Sequence, residues 1–131
     1  MIEAAVAAMA YVGGRLLTGR DSLSVVDRVS GVRSGFSGAV DADRVNVLDQ
    51  QLGCLVTGRA DDAGKLWLFH QETMRYLTLQ PERPGCLAGH DHSTHHAFDV
   101  LVQDGGSVEV LDYQGGLWRR FQLEAPRVLV D

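Results

Sequence analysis

Residues Val108 to Leu123 read VEVLDYQGGLWRRFQL. This is an alternating apolar strand, an Asp, a short turn carrying two glycines, and a second alternating strand. The same pattern recurs behind it. LSVV precedes Asp27, VNVL precedes Asp49, LWLF precedes His70, and CLAGH precedes Asp91. Successive markers are 22 (27 to 49), 21 (49 to 70), 21 (70 to 91) and 21 (91 to 112) residues apart. A fixed period of this size is the signature of a repeat architecture. It is too short for a strand–helix–strand crossover, which needs roughly 30 residues, so each unit reads as an antiparallel hairpin.

The apolar residues agree. One parity of each first strand is nearly pure: Leu23 and Val25, Val45 and Val47, Leu66 and Leu68, Leu87, Val108 and Val110. Val128, Val130 and Asp131 look like the start of a further unit. Nine residues after the marker stand Phe36, Leu79, Val100 and Phe121, with Gly58 departing from the pattern. Alternation of this kind buries one face of a sheet. Pro81, Pro84 and Pro126 all fall between units, where a missing N–H does no harm to a ladder.

Five such units make about ten strands, and a sheet that wide tends to curl, close or split. Closure also removes the exposed edges of a meander. The expected fold is therefore all-β with one N-terminal α-helix: an antiparallel up-and-down meander forming a closed or nearly closed barrel, with a two-layer β-sandwich as the alternative. The helix is read over residues 2–17, from the spacing of Ile2, Val6, Met9, Val12 and Leu16 in an Ala-rich background. Thr18-Gly19 ends it. Its other face is Ala-rich, so contacts on two sides are expected, with the helix plugging the interior or covering one opening. The chain reads as one domain over 1–131, with the helix in 1–19 and the hairpins in 22–131.

Composition narrows the function classes. With 131 residues, 45% apolar and 22% charged, the chain can build an ordinary core without a metal or disulfide. The net charge is −5 and no basic cluster exceeds Arg119-Arg120, which argues against nucleic acid and an anionic membrane surface. Cys54 and Cys86 make no disulfide framework. Glu3 stands where a secretory signal carries Lys or Arg, and no apolar run reaches the ~18 residues of a membrane span, so a reducing cytoplasm is the expected compartment.

Four features carry candidate chemistry. The markers Asp27, Asp49, His70, Asp91 and Asp112 share the core parity at one end of the sheet, where crowded carboxylates could form an acid/base pair or a cation site. The simpler role is turn capping, since an Asp side chain bonds the backbone two residues on. The run from His90 to His96 holds four of the five histidines. Imidazoles suit zinc, nickel or copper, and His70, His90, Asp91, His92, His95 and His96 are the candidate metal set, although no zinc-motif spacing is present. Ser93, Thr94, Cys54 and Cys86 stand in no nucleophile motif. Finally, Trp67, Tyr76, Tyr113 and Trp118 lie off the core parity or in turns, and Trp67 with Trp118 would suit a partner or flat ligand.

The expected function is a non-catalytic binding or interaction module with a protein or small-molecule partner, and self-association among its options. A carrier of small apolar ligands in the barrel interior is one alternative. A metal-binding protein or metal-dependent enzyme built on the histidine run, using zinc or another divalent transition metal, is the other.

Overall fold

The computed structural model describes residues 3–125; Ile2 and the residues read as a sixth unit, Val128, Val130 and Asp131, lie outside them. The helix α1 (Glu3–Thr18) is followed by ten strands: β1 (Ser24–Asp27), β2 (Arg33–Val40), β3 (Arg44–Asp49), β4 (Cys54–Ala60), β5 (Leu66–His70), β6 (Arg75–Arg83), β7 (Cys86–Asp91), β8 (His96–Val102), β9 (Ser107–Asp112) and β10 (Leu117–Leu123). Each pairs antiparallel with its sequence neighbours. The ring closes where β1 meets β10, in the register Val25↔Leu123, Val26↔Gln122 and Asp27↔Phe121. The fold is a closed up-and-down barrel, not a sandwich.

Parity does what it was read to do. Val25, Phe36, Val45, Val47, Val56, Leu68, Leu77, Leu79, Phe98, Val100, Val108 and Val110 are all essentially inaccessible. Leu23 departs from this: it precedes β1 at the rim and is 60% exposed. Gly58 breaks the apolar series because a Cβ there would collide with the Trp67 carbonyl oxygen and lie 2.6 Å from Leu68 Cδ2.

The helix runs through the barrel. Ala8 to Val12 are each completely buried. Five consecutive helical residues point in all directions, so α1 is surrounded on every side rather than packed on one stripe. It lies toward β8, β9, β10, β1 and β2. On that side its surface is small: a Cβ on Gly13 would sit 2.7 Å from Val100 Cγ1, and one on Gly14 3.0 Å from Val108 Cγ2. Tyr11 anchors it, stacked on Phe36 at 4.5 Å between centroids, with its hydroxyl donating to the Ser22 carbonyl at 2.5 Å. Burial raises the Tyr11 pKa, against the lowering pull of Arg15. Gly19, at φ 65°, ends the helix with its N–H on the Arg15 carbonyl.

Candidate functional site

All five markers end the odd-numbered strands, so the barrel gathers them at one mouth. Each caps its own turn. Asp27 Oδ1 accepts from the N–H groups of Val29 and Ser30, Asp49 Oδ1 from Gln51 and Leu52, Asp91 Oδ1 from Ser93, and Asp112 Oδ1 from Gln114. His70 does the same job with Nδ1, which accepts from the Thr73 N–H at 3.4 Å and lies 2.9 Å from Thr73 Oγ1. The five turns share one backbone plan. Four residues after the marker φ is positive every time: Gly31, Gly53, Met74, His95 and Gly116. Capping was the plainer reading of the marker, and the hydrogen bonds bear it out.

In Asp27, Asp49 and Asp91 capping uses Oδ1, and Oδ2 faces the mouth. Asp27 Oδ2 accepts from Arg119 Nη2 at 2.6 Å, and Arg119 also pairs with Glu3 on the first turn of α1. Burial pushes the Asp27 pKa up, but the hydrogen bonds from Arg119, Ser30 and Val29 outweigh it and leave it lowered. Asp91 Oδ2 accepts from Arg75 Nη1 at 3.1 Å. Among the described residues Asp49 Oδ2 has no such guanidinium; His70 Nε2 lies 3.9 Å away. A cavity of about 350 Å³ opens between Asp27, Asp49, Arg119 and the first turn of α1.

Cys54 completes a cluster there. It sits opposite Asp49 across the β3–β4 turn, pointing inward with Val56. One ligand atom each from Asp49, Cys54 and His70 lie within 4.8 Å of one another, and all three residues are buried. His70 is wholly inaccessible, and among the described residues its Nε2 has no hydrogen-bond partner. Burial raises the Cys54 thiol pKa; the Glu72 backbone N–H pulls it down, and the Asp49 and Glu72 carboxylates push it up. Reading His70 as a metal candidate pointed toward this corner of the mouth. Its neighbour is Asp49, however, while Asp91 is engaged by Arg75 and Ser93.

The histidine run forms the turn between β7 and β8. His90 and His92 meet edge-on at 4.6 Å between centroids, and His95 lies 6.4 Å from His90. His92 is stacked on Trp67 at 5.0 Å, with its Nε2 3.2 Å from Thr78 Oγ1. Burial, then the neighbouring His90 and Lys65, lower its pKa. His96 stands opposite Asp91. Among the described residues, two groups of three bring potential metal ligands together, and neither contains a residue of this run. The second such group is Glu82, Cys86 and Asp99, where Cys86 Sγ lies 3.5 Å from Glu82 and Asp99 accepts from the Tyr113 hydroxyl at 2.5 Å. Both cysteines are free.

Trp67 and Trp118 do not share a patch. They stand on β5 and β10, five strands apart in a ring of ten, and so on opposite sides. Trp67 instead joins Phe69 and Tyr76 in an outer groove of about 450 Å³, bordered by Arg44 and Arg59. Phe69 and Tyr76 rings are 4.8 Å apart, and the Trp67 indole N–H donates to Asp61 at 3.1 Å. Sequence reasoning missed Cys54 and the two arginines. The signal for Cys54 was its place five residues after a marker, the position that faces the marker across each turn. No family model, curated protein or solved structure matches the chain.

Proposed function

We propose that the protein is a non-catalytic binding module that takes an extended, acidic and apolar protein segment in the outer groove over β3 to β6. The carrying observation is the groove itself: Trp67, Phe69 and Tyr76 stand together beside Arg44 and Arg59 on a chain whose net charge is −5. Aromatic residues and arginine dominate binding hot spots, because they offer large contact area and multiple donors. The Trp67 ring is already fixed by Asp61, by His92 and by the Lys65 ammonium at 5.7 Å from its centroid, so binding costs it little rotamer freedom. The local positive rim on an acidic protein favours an acidic partner and speeds encounter. An interior ligand is the less favoured reading, since α1 occupies the space a carrier barrel keeps for its cargo.

The test titrates the 15N-labelled protein with short synthetic peptides in which Asp or Glu alternates with Leu or Phe, beside counterparts carrying Lys in place of the acids. Backbone shifts are expected at Thr57, Trp67 and Tyr76 with the acidic series, weakening as salt screens the arginines. Trp67→Ala should weaken binding roughly thirtyfold, the ~2 kcal/mol of a hot-spot truncation, and Arg59→Glu should remove the preference for acid. Shifts that ignore both substitutions, or that gather around Trp118, would overturn the proposal.

A further inference from the structure

We infer that Asp49, Cys54 and His70 form a binding site for a single divalent transition ion of the zinc class, inside the barrel mouth and independent of the outer groove. The donor set is one carboxylate, one thiol and one imidazole, the mixture that borderline ions such as zinc and cobalt prefer. The atoms lie within 4.8 Å of one another, and the Asp49–His70 pair is 3.9 Å apart. That is past hydrogen-bond length. It is within an ångström of the separation that ligands reach on a tetrahedral ion, roughly 3.3–3.7 Å given bonds of about 2.0–2.3 Å.

The second observation is the state of His70. A completely buried imidazole whose Nε2 meets no donor or acceptor among the described residues has lost its water without replacement. An ion bonded at Nε2 supplies that missing partner. The ring has a partner ready for the tautomer this needs. Coordination through Nε2 requires the proton on Nδ1, so Nδ1 gives up the turn N–H of Thr73 at 3.4 Å and donates instead to Thr73 Oγ1 at 2.9 Å, which in turn donates to the His70 carbonyl at 3.5 Å. Such outer hydrogen bonds fix the tautomer of metal-bound histidines. Asp49 loses nothing by binding, because its turn uses Oδ1 and leaves Oδ2.

The other candidate group lacks this feature. In the Glu82, Cys86 and Asp99 cluster the thiol and the Asp99 carboxylate already have partners, Glu82 and Tyr113. When the ion enters the mouth, the Cys54 S–H bond breaks, a sulfur–metal bond forms and the proton passes to solvent. Asp49 also lines the mouth cavity, and that is the side from which a water would reach the ion as fourth ligand.

Cobalt(II) is the probe, titrated into the full chain under a non-thiol reductant. The parent should show a near-ultraviolet thiolate-to-cobalt band that saturates at one equivalent and is displaced by zinc. Cys54→Ser should abolish the band and His70→Gln should weaken cobalt at least tenfold. Thr73→Val should cost about 10–100-fold, as outer-partner losses do. Cys86→Ser and the pair His92→Ala with His95→Ala should leave the band intact, which separates this site from the other cysteine and from the surface histidines. X-ray absorption of the zinc-loaded parent should find one sulfur neighbour, a result that needs no variant to fold. A parent without the band, a band that survives Cys54→Ser, or a zinc shell of nitrogen and oxygen alone would each sink the inference.

Discussion

Gly13→Ala is the substitution on which sequence and structure disagree in sign. In a helix interior Ala is favoured over Gly by roughly 0.8–1.0 kcal/mol, so propensity alone says the variant is more stable. The barrel says otherwise. The new methyl would lie 2.7 Å from Val100 Cγ1 and 3.3 Å from Leu87 Cδ1. Val100 is completely buried, so it cannot swing aside without displacing its own neighbours. Overpacking of this kind costs about 1–3 kcal/mol, and a clash this close belongs in the upper half of that range. The net expectation is a loss of about 1–2 kcal/mol, or a melting temperature lower by about 5 °C in a chain of this size. Val100→Ala alone should also destabilise, by about 2 kcal/mol for two lost methyl groups and the void they leave. Combining the two should recover stability, because Val100 Cβ is 3.5 Å from the new methyl, an ordinary contact. Urea denaturation of the four proteins gives the coupling energy, expected at about 1–3 kcal/mol in favour of the double variant. A Gly13→Ala protein more stable than the parent, or additive single effects, would show that α1 does not pass against β8.

Asp27→Asn keeps the Oδ1 turn cap but removes the charge paired with Arg119, and should cost about 1–3 kcal/mol at neutral pH. The folded-state pKa of Asp27 is lowered, so its contribution is present above the unfolded carboxylate value and is lost as pH falls through the folded one; the variant's stability curve should therefore be flatter on the acid side, measured by denaturation at stepped pH. Tyr11→Phe leaves the stack on Phe36 but strips the Ser22 carbonyl of its donor, with an expected loss of about 1–3 kcal/mol, read by the same denaturation. Gly53→Ala isolates the backbone cost of the turn plan, since its methyl meets nothing within 4 Å and φ is 64°; about 1 kcal/mol is expected.

The barrel was legible because each strand repeats two simple instructions: alternate, then stop at a residue that caps a turn. Valine and leucine at every second place fix which face is buried, and a period near 21 residues fixes that the hairpins follow one another. The helix was legible as a helix. Its position inside the barrel was hinted at by the lack of any charged face over Ala4 to Gly14. Neighbours across the ring were not legible. His70 reads as a partner for Asp91 because both hold the same place in adjacent units, yet Asp91 is met by Arg75 and His70 turns toward Asp49. Which neighbour an end-of-strand side chain leans toward depends on strand tilt and stagger, quantities that exist only in the closed barrel. The same ignorance of circumference joined Trp67 to Trp118. Cys54 was passed over because a cysteine opening a strand has the size and apolar character of an ordinary core residue.

The mouth chemistry follows from the repeat rather than in spite of it. A marker side chain must point inward, because it shares the parity of the core valines, and must also reach its own turn amides. A carboxylate satisfies both with one oxygen and has a second to spend. In the first unit that oxygen binds Arg119, and in the fourth it binds Arg75. In the second unit the corresponding nitrogen is His70 Nε2, which stands too far for a hydrogen bond. Imidazole is able to replace Asp as a marker because Nδ1 reaches both the N–H and the hydroxyl of Thr73 in its turn, and bonding the hydroxyl as a donor leaves Nε2 available. The facing position, five residues on, is Val32, Cys54, Arg75, His96 or Leu117 in the successive units, with the turn backbone kept throughout. Side chains there can change without altering the turn. One thiol at that position and one imidazole at the next marker are enough to convert a capping carboxylate into the third member of a buried donor set, with no cost in backbone geometry.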